Sequence, residues 1–183
     1  MKFNRKTFTV VLIALITLSM LCAAATSVVQ AVSVSVNDPA AQNRGPVSVG
    51  GDYGLRLGFG GAFTEIGVSM PTWSTTDSAC TLSLYAWDTN YDTTIASDPI
   101  VSKRFDPLID NARNTLTFDP LPAGEYFLRI HDVRGQVGVW AYDYKSCGGY
   151  VYTNGTESRK EWDVSWAFTV TFRLGLESLT QYF

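Results

Sequence analysis

The sequence predicts an all-β protein, an antiparallel β-sandwich of jelly-roll type, and three observations carry that expectation. Hydrophobic residues recur at every second position in many short runs, the period of strands with one buried face. The runs are separated by Gly, Pro, Asn and Asp clusters whose backbone preferences favour turns. After residue 31 no amphipathic segment of helical length and no internal repeat is visible. Eight or nine short strands broken this often fit a sandwich or jelly roll, with a closed barrel as the alternative.

The first residues are a targeting segment rather than part of the fold. Lys2, Arg5 and Lys6 form a positive start, residues 8–22 are apolar, and small residues follow. This is the layout of a signal peptide. The Ala-x-Ala preference is met at Ala23-Ala24-Ala25 and at Val29-Gln30-Ala31, which places cleavage after Ala25 or after Ala31. The apolar run is shorter than the ~20 residues a spanning helix needs, and no second hydrophobic span follows. The expected product is therefore secreted, extracellular or at the cell surface. Residues 26–50 read as a flexible lead-in with one edge strand at 32–36, and residues 51–183 read as the folded domain.

Within that domain the strands are justified one by one. A strand is expected at 55–59. At 64–70, Ile66, Val68 and Met70 share a face. At 81–87, Leu82, Leu84 and Ala86 oppose Ser83, Tyr85 and Trp87. At 114–118, Leu116 and Phe118 share a face. At 125–131, Tyr126, Leu128 and Ile130 oppose Glu125, Phe127, Arg129 and His131. Further strands are expected at 136–144 and 149–152. The most regular alternation is at 166–174, where Trp166, Phe168, Val170, Phe172 and Leu174 fall on one face. Asp119-Pro120-Leu121-Pro122-Ala123-Gly124 supplies a turn with fixed φ at its prolines and a glycine free to adopt φ > 0. Asn154-Gly155-Thr156 is a hairpin turn by its Asn-Gly pair, and also an N-x-T glycosylation sequon.

Charge narrows the partners. The whole chain carries 14 Lys and Arg against 17 Asp and Glu, and losing Lys2, Arg5 and Lys6 makes the mature chain more acidic still. Nucleic acid needs clustered cations to neutralise phosphates and is excluded as the expected partner; neutral ligands remain. Cys80 and Cys147 are the even pair left after cleavage, which in an oxidising compartment reads as a disulfide, with two buried thiols as the alternative.

Catalytic patterns are sparse. His131 is the single histidine, and the sequence has no G-x-S-x-G elbow, H-E-x-x-H or paired C-x-x-C. No enzymatic activity is expected. Asp88-Thr89-Asn90-Tyr91-Asp92 resembles the opening of an EF-hand loop but has Thr93 where that loop requires glycine and Pro99 where it requires glutamate. It is an Asx-rich turn, with Asp88, Asn90 and Asp92 the ligand candidates for a structural calcium. The aromatics are the stronger signal. Trp140, Tyr142 and Tyr144 share one face of their strand, Tyr85 and Trp87 lie on the polar face of theirs, and Tyr91 follows in the loop. Rings can cover the apolar faces of sugars while neighbouring Asp, Asn and Arg bond hydroxyls. Trp87, Tyr91, Trp140 and Tyr142 are the candidate ligand residues, although strands favour aromatics for packing as well.

Several pieces in order resemble a module of secreted microbial proteins. They are Gly67-Val68-Ser69-Met70-Pro71-Thr72-Trp73, Leu82-Ser83-Leu84-Tyr85-Ala86-Trp87-Asp88, Asp110-Asn111, Leu121-Pro122-Ala123-Gly124-Glu125-Tyr126 and Val137-Gly138-Val139-Trp140. The resemblance implies a galactose-binding-like jelly roll, similar to the carbohydrate-binding modules found beside polysaccharide-acting enzymes. The functional expectation is a non-catalytic glycan-binding protein outside the cell. A protein-interaction or assembly sandwich, or an accessory domain of a longer polysaccharide-acting enzyme, are the alternatives, since such folds host many functions.

Overall fold

The computed structural model describes residues 43–144, 150–157, 165–168 and 170–174, and the expected signal peptide lies outside them. All the described residues belong to the second of the two units into which the chain divides, Ala31–Phe183. The described part is mostly strand: β1 (Asn43–Ser48), β2 (Tyr53–Phe59), β3 (Phe63–Ser69), β4 (Ala79–Ala86), β5 (Val101–Phe105), β6 (Arg113–Leu121), β7 (Gly124–Arg134), β8 (Gly138–Tyr144), β9 (Tyr150–Thr153), β10 (Thr156–Glu157), β11 (Ser165–Phe168) and β12 (Val170–Leu174). One helix, α1 (Tyr91–Ala96), interrupts them.

Every pairing is antiparallel. The largest sheet has the order β10-β9-β2-β7-β4-β5, and two smaller ones have the orders β12-β3-β6 and β1-β8-β11. Strand parity places Leu55, Leu57, Leu82, Leu84, Leu128 and Ile130 of the large sheet in the main core. Phe63, Ile66 and Val68 of β3, Leu116 of β6 and Val139 of β8 enter the same core, so sheets face one another across one hydrophobic layer. Full burial of each such side chain contributes roughly 1.5–3 kcal/mol, which makes this layer the main source of stability. Tyr126 closes the β6–β7 turn, its hydroxyl donating to the Pro122 carbonyl at 2.8 Å.

Four features of the strands and cysteines differ from the sequence expectations. First, β1 lies inside the stretch read as a lead-in and pairs with β8 from Asn43↔Tyr142 to Ser48↔Gly138. Its sequence, with a glycine and a proline at its centre, carries no alternation, so only the partner strand specifies it. Second, the run at 166–174 is two strands in two sheets. Residues 165–168 pair with β8, and residues 170–174 pair with β3. Alternation reports which residues share a face and not which sheet a strand joins. Third, β5 was not expected. Its central Ser102, Lys103 and Arg104 are exposed, as suits an edge strand that must resist further pairing.

The fourth difference concerns the cysteines. Cys80 is a free, fully buried thiol, and its Sγ lies 3.6 Å from the Met70 Sδ. The structure therefore does not contain the expected Cys80–Cys147 bridge, and Cys147 lies outside the described residues. The Cys80 side chain points into the main core, where it packs as a small hydrophobe. Burial, partly offset by Arg104, pushes this thiol up to about 12. We expect Cys80 to be inert to a thiol reagent in native buffer and to react once denatured without reductant. Absence of any reactive thiol after denaturation would restore the bridge.

Candidate functional site

The outer face of the large sheet, on the side away from the main core, carries a second cluster. Phe127 is fully buried on this face although Leu128 beside it faces the main core, so both faces of β7 are covered. Tyr85, Tyr91 and Tyr152 complete the cluster, with Trp87, Ile95 and Tyr150 packed against it. The rings meet edge to face: Phe127 lies 5.5 Å from Tyr152 at 87° and 5.7 Å from Tyr91 at 89°. The Phe127 ring occupies the space above Gly54. A Cβ at Gly54 would stand 2.1 Å from the Phe127 Cζ.

The cover is α1, which lies in the connection between the paired strands β4 and β5. The sequence reading gave no helix here, yet the local signals are present. Asn90 is the N-cap: its side-chain oxygen accepts from the Thr93 amide at 3.0 Å, and the Thr93 Oγ1 accepts from the Asn90 amide at 3.3 Å. This is a capping box with threonine in the place usually given to Glu or Gln. The Thr94 hydroxyl holds the preceding loop, accepting from the Asp88 amide at 2.9 Å. Tyr91 and Ile95, one helical turn apart, face down onto the cluster. The buried contact, rather than helix propensity, stabilises a helix this short.

The calcium candidates Asp88, Asn90 and Asp92 each have a local structural role here. Asn90 spends its carbonyl oxygen on the helix cap, and the Asp88 Oδ1 accepts from the Thr89 hydroxyl at 3.0 Å. Asp92 stands in the first helical turn, where a negative charge suits the helix dipole. Among the described residues no three His, Cys, Asp or Glu side chains converge as a metal site.

Beside the cluster lies an open cleft of about 460 Å³. One wall is the start of α1, with Asn90, Tyr91 and Asp92. The other is the β9–β10 hairpin, with Tyr152 and Glu157, and Arg56 and Trp87 also line it. The hairpin turns at Asn154 and Gly155, both with positive φ (47° and 79°), as an Asn-Gly turn of this kind requires. The Asn154 side chain is committed to the fold by accepting from the Asp52 amide at 3.2 Å.

The charged groups of the cleft are held in place. The Arg56 guanidinium lies 4.5 Å from the centroid of the Trp87 ring and 5.3 Å from that of Tyr150. It donates to Glu125 at 2.6 Å, and its Nε is buried without a hydrogen-bond partner. Beneath Tyr91, the Arg129 Nε donates to the Asp52 Oδ2 at 2.8 Å, and the Arg129 Nη2 bonds the same oxygen. Burial first, and then the Asp52 carboxylate, push the Tyr91 phenol up to about 12. Tyr152 is likewise raised, by burial and by Glu157, whose Oε2 accepts from the Tyr152 hydroxyl at 3.4 Å. Both phenols therefore stay protonated donors at neutral pH.

Of the predicted ligand residues, Trp87 and Tyr91 line the same cleft. Trp140 stands on β8 in another sheet, its Nε1 donating to the Asn111 Oδ1 at 3.1 Å. The Tyr142 side chain lies outside what the structure describes. The sequence reading missed Arg56, Tyr152 and Glu157 because they come from strands distant in sequence. Register brings them together, with Arg56 opposite both Tyr150 and Phe127.

His131 also has unexpected company. Its Nε2 is 2.9 Å from the Ser83 Oγ, its Nδ1 is 2.9 Å from the Asp132 Oδ2, and Ser83 is 2.7 Å from the Ser102 hydroxyl. The order serine, histidine, aspartate matches that of hydrolytic triads. Ser83, however, is only 1% exposed and sits in mid-strand between β5 and β7, so its hydroxyl is not presented to a substrate. The chain of bonds ties the edge strand β5 to β7. Burial, and then the Arg129 charge, lower the His131 pKa below its usual 6.5, against the opposing pull of Asp132. The unfolded chain thus binds a proton more readily than the folded one. Stability from this site is complete above about pH 6.5 and declines as pH falls through the lowered value. The thermal midpoint should fall between pH 7.5 and 5, and His131→Gln should flatten that slope; an equal slope in the variant assigns it elsewhere.

Fold and cleft together define an all-β protein of antiparallel sheets with an open, aromatic and charge-lined cleft on the outer face of its largest sheet. Comparison with protein-family models, curated proteins and solved structures gives no match.

Proposed function

We propose that this protein binds carbohydrate without transforming it, in the cleft between α1 and the β9–β10 hairpin, as a secreted jelly-roll module. The observation that carries this reading is the composition of the cleft. Trp87, Tyr91 and Tyr152 supply ring surface, while Arg56, Asn90, Asp92 and Glu157 supply donors and acceptors within one concavity. A sugar presents both kinds of surface, with C–H patches beside hydroxyls. Both charge signs line the cleft, which suits a neutral ligand better than a polyanion. The rings are already packed and the guanidinium already held, so little conformational entropy is lost on binding. The apolar N-terminal run supports export.

The test is retention on a panel of immobilised neutral and acidic glycans, with wild type and with the paired variant Asp92→Ala/Glu157→Ala. Both residues are exposed, so the fold should survive the change. At least one neutral glycan should retain the wild type, and the variant should bind it at least tenfold more weakly with an unchanged melting midpoint. Wild type that no glycan retains would sink the proposal. Trp87→Ala is the poorer probe: the indole is half-buried against Phe127 and Tyr152, so its loss also costs stability.

A further inference from the structure

Away from the cleft, strained backbone and exposed indole coincide. Trp73, Ser74 and Asn111 all have left-handed backbone, with φ of 50°, 63° and 58°. Such residues are strained and persist where their surroundings over-determine them. Here the determinant is Asp110. Its Oδ1 accepts from the Thr72 amide at 2.6 Å and from the Thr72 hydroxyl at 3.3 Å, and its Oδ2 accepts from the Asn111 amide group at 3.1 Å. The β3–β4 and β5–β6 connections are thereby locked to each other.

What the lock displays is a pair of indoles. The Trp73 ring rests on Gly138, where a Cβ would come within 2.6 Å of the Trp73 Cη2. Trp140 is two residues further along the same strand, on the same face, roughly 7 Å away by strand geometry. Val137, Val139 and Ala141 point the other way into buried surroundings, so this face of β8 looks outward. Trp73 is 42% exposed, and Ile109 beside the locked loop is 72% exposed. Because Asn111 takes the indole N–H of Trp140, the polar edge of that ring is already satisfied.

We propose that Trp73 and Trp140 form a second carbohydrate site, a flat platform for a neutral polysaccharide chain, separate from the cleft. The inference rests on the carbohydrate reading above and extends it to two-site binding. The size of the surface decides the occupant. A stable protein interface buries about 1,200–2,000 Å², far more than the two indoles and one isoleucine that the described residues offer here, whereas a short stretch of sugar rings needs only their faces. Rigid mounting favours the same ligand, because stacking on a ring already fixed costs little ordering. Two such sites on one chain raise the affinity for a long polymer well above that for its fragments.

The experiment measures binding of soluble β-glucan, mannan, galactan and xylan by affinity electrophoresis, and binding of the matching oligosaccharides by calorimetry. Four proteins are compared: wild type, Trp73→Ala, Ile109→Asp and the cleft variant Asp92→Ala/Glu157→Ala. Ile109→Asp is included because so exposed a residue can change without unfolding the protein. Wild type should bind two oligosaccharides per chain. Trp73→Ala and Ile109→Asp should each leave one, with at least tenfold weaker polymer retention, and the cleft variant should leave the other. One oligosaccharide per wild-type chain, lost only in the cleft variant, would overturn the platform and keep the cleft. Loss only in Trp73→Ala and Ile109→Asp would keep the platform and remove the cleft, and no binding at all would overturn both. Self-association of wild type that Ile109→Asp abolishes, with glycan binding unchanged, would also overturn the platform by making it a contact between copies.

Discussion

Gly54→Ala should destabilise the protein by about 3 kcal/mol, the upper end of the usual cost of overpacking a core. On backbone grounds alone the substitution should help, because alanine in a strand loses less conformational entropy than glycine, a gain of at most about 1 kcal/mol. Sterics reverse the sign. The new Cβ would lie 2.1, 2.7 and 2.9 Å from three atoms of the Phe127 ring. That ring cannot retreat, because it is fully buried between Tyr91, Tyr152 and Trp87. Urea denaturation should show a lower midpoint at unchanged slope, and Phe127→Leu in the Gly54→Ala background should recover part of the loss. A single variant as stable as wild type would mean that the outer cluster repacks freely, and the rigidity claimed for the cleft would go with it.

Asp52→Ala should cost about 3 kcal/mol, because removing one partner of a largely buried ion pair strands the other charge. The side chains of Arg129 and Asp52 are 19% and 21% exposed, well removed from the regime in which surface pairs contribute almost nothing. Among the described residues Arg129 has no second carboxylate in contact, and Tyr91 lies above it. The paired variant Asp52→Ala/Arg129→Met should regain much of the loss, since it removes the stranded charge with its partner. A double-mutant cycle by denaturant titration gives the coupling. A coupling below about 0.5 kcal/mol would place the pair in solvent and leave Tyr91 without the support described for it.

Much of the fold was legible because parity in a strand is a local property. Ile66, Val68 and Met70, then Leu82 and Leu84, then Leu128 and Ile130, all point into the main core as their alternation requires. Parity also placed Ser83, Tyr85 and Trp87 together on the opposite face. It did not reveal that this face is covered, because the cover is a six-residue helix whose stability comes from Phe127 and Tyr152, distant in sequence. The cleft was half legible for the same reason. Trp87 and Tyr91 stand four residues apart on the one connection between β4 and β5 and could be paired by reading along the chain. Arg56, Tyr152 and Glu157 reach the cleft only through the register of β2 with β7 and β9 and of β10 with β9. The partners of His131 depend on register too, since Ser83 meets it across β4 and β7. The platform depended on backbone conformation: nothing in Thr72-Trp73-Ser74 announces two successive left-handed residues, because Asp110, far along the chain, imposes them.

The position of α1 inside a hairpin connection has a consequence for how the molecule can change. Strands β4 and β5 are paired with each other whatever links them, and the main core lies on the other side of the sheet. Residues 87–100 are therefore an exchangeable cassette. A replacement that keeps the Asn90 cap and Tyr91 and Ile95 as its two downward anchors can alter residues 88, 89 and 92, and with them the shape and charge of one cleft wall. The contour of that wall and the packing of the main core are then written in different parts of the chain, so one can drift while the other is held.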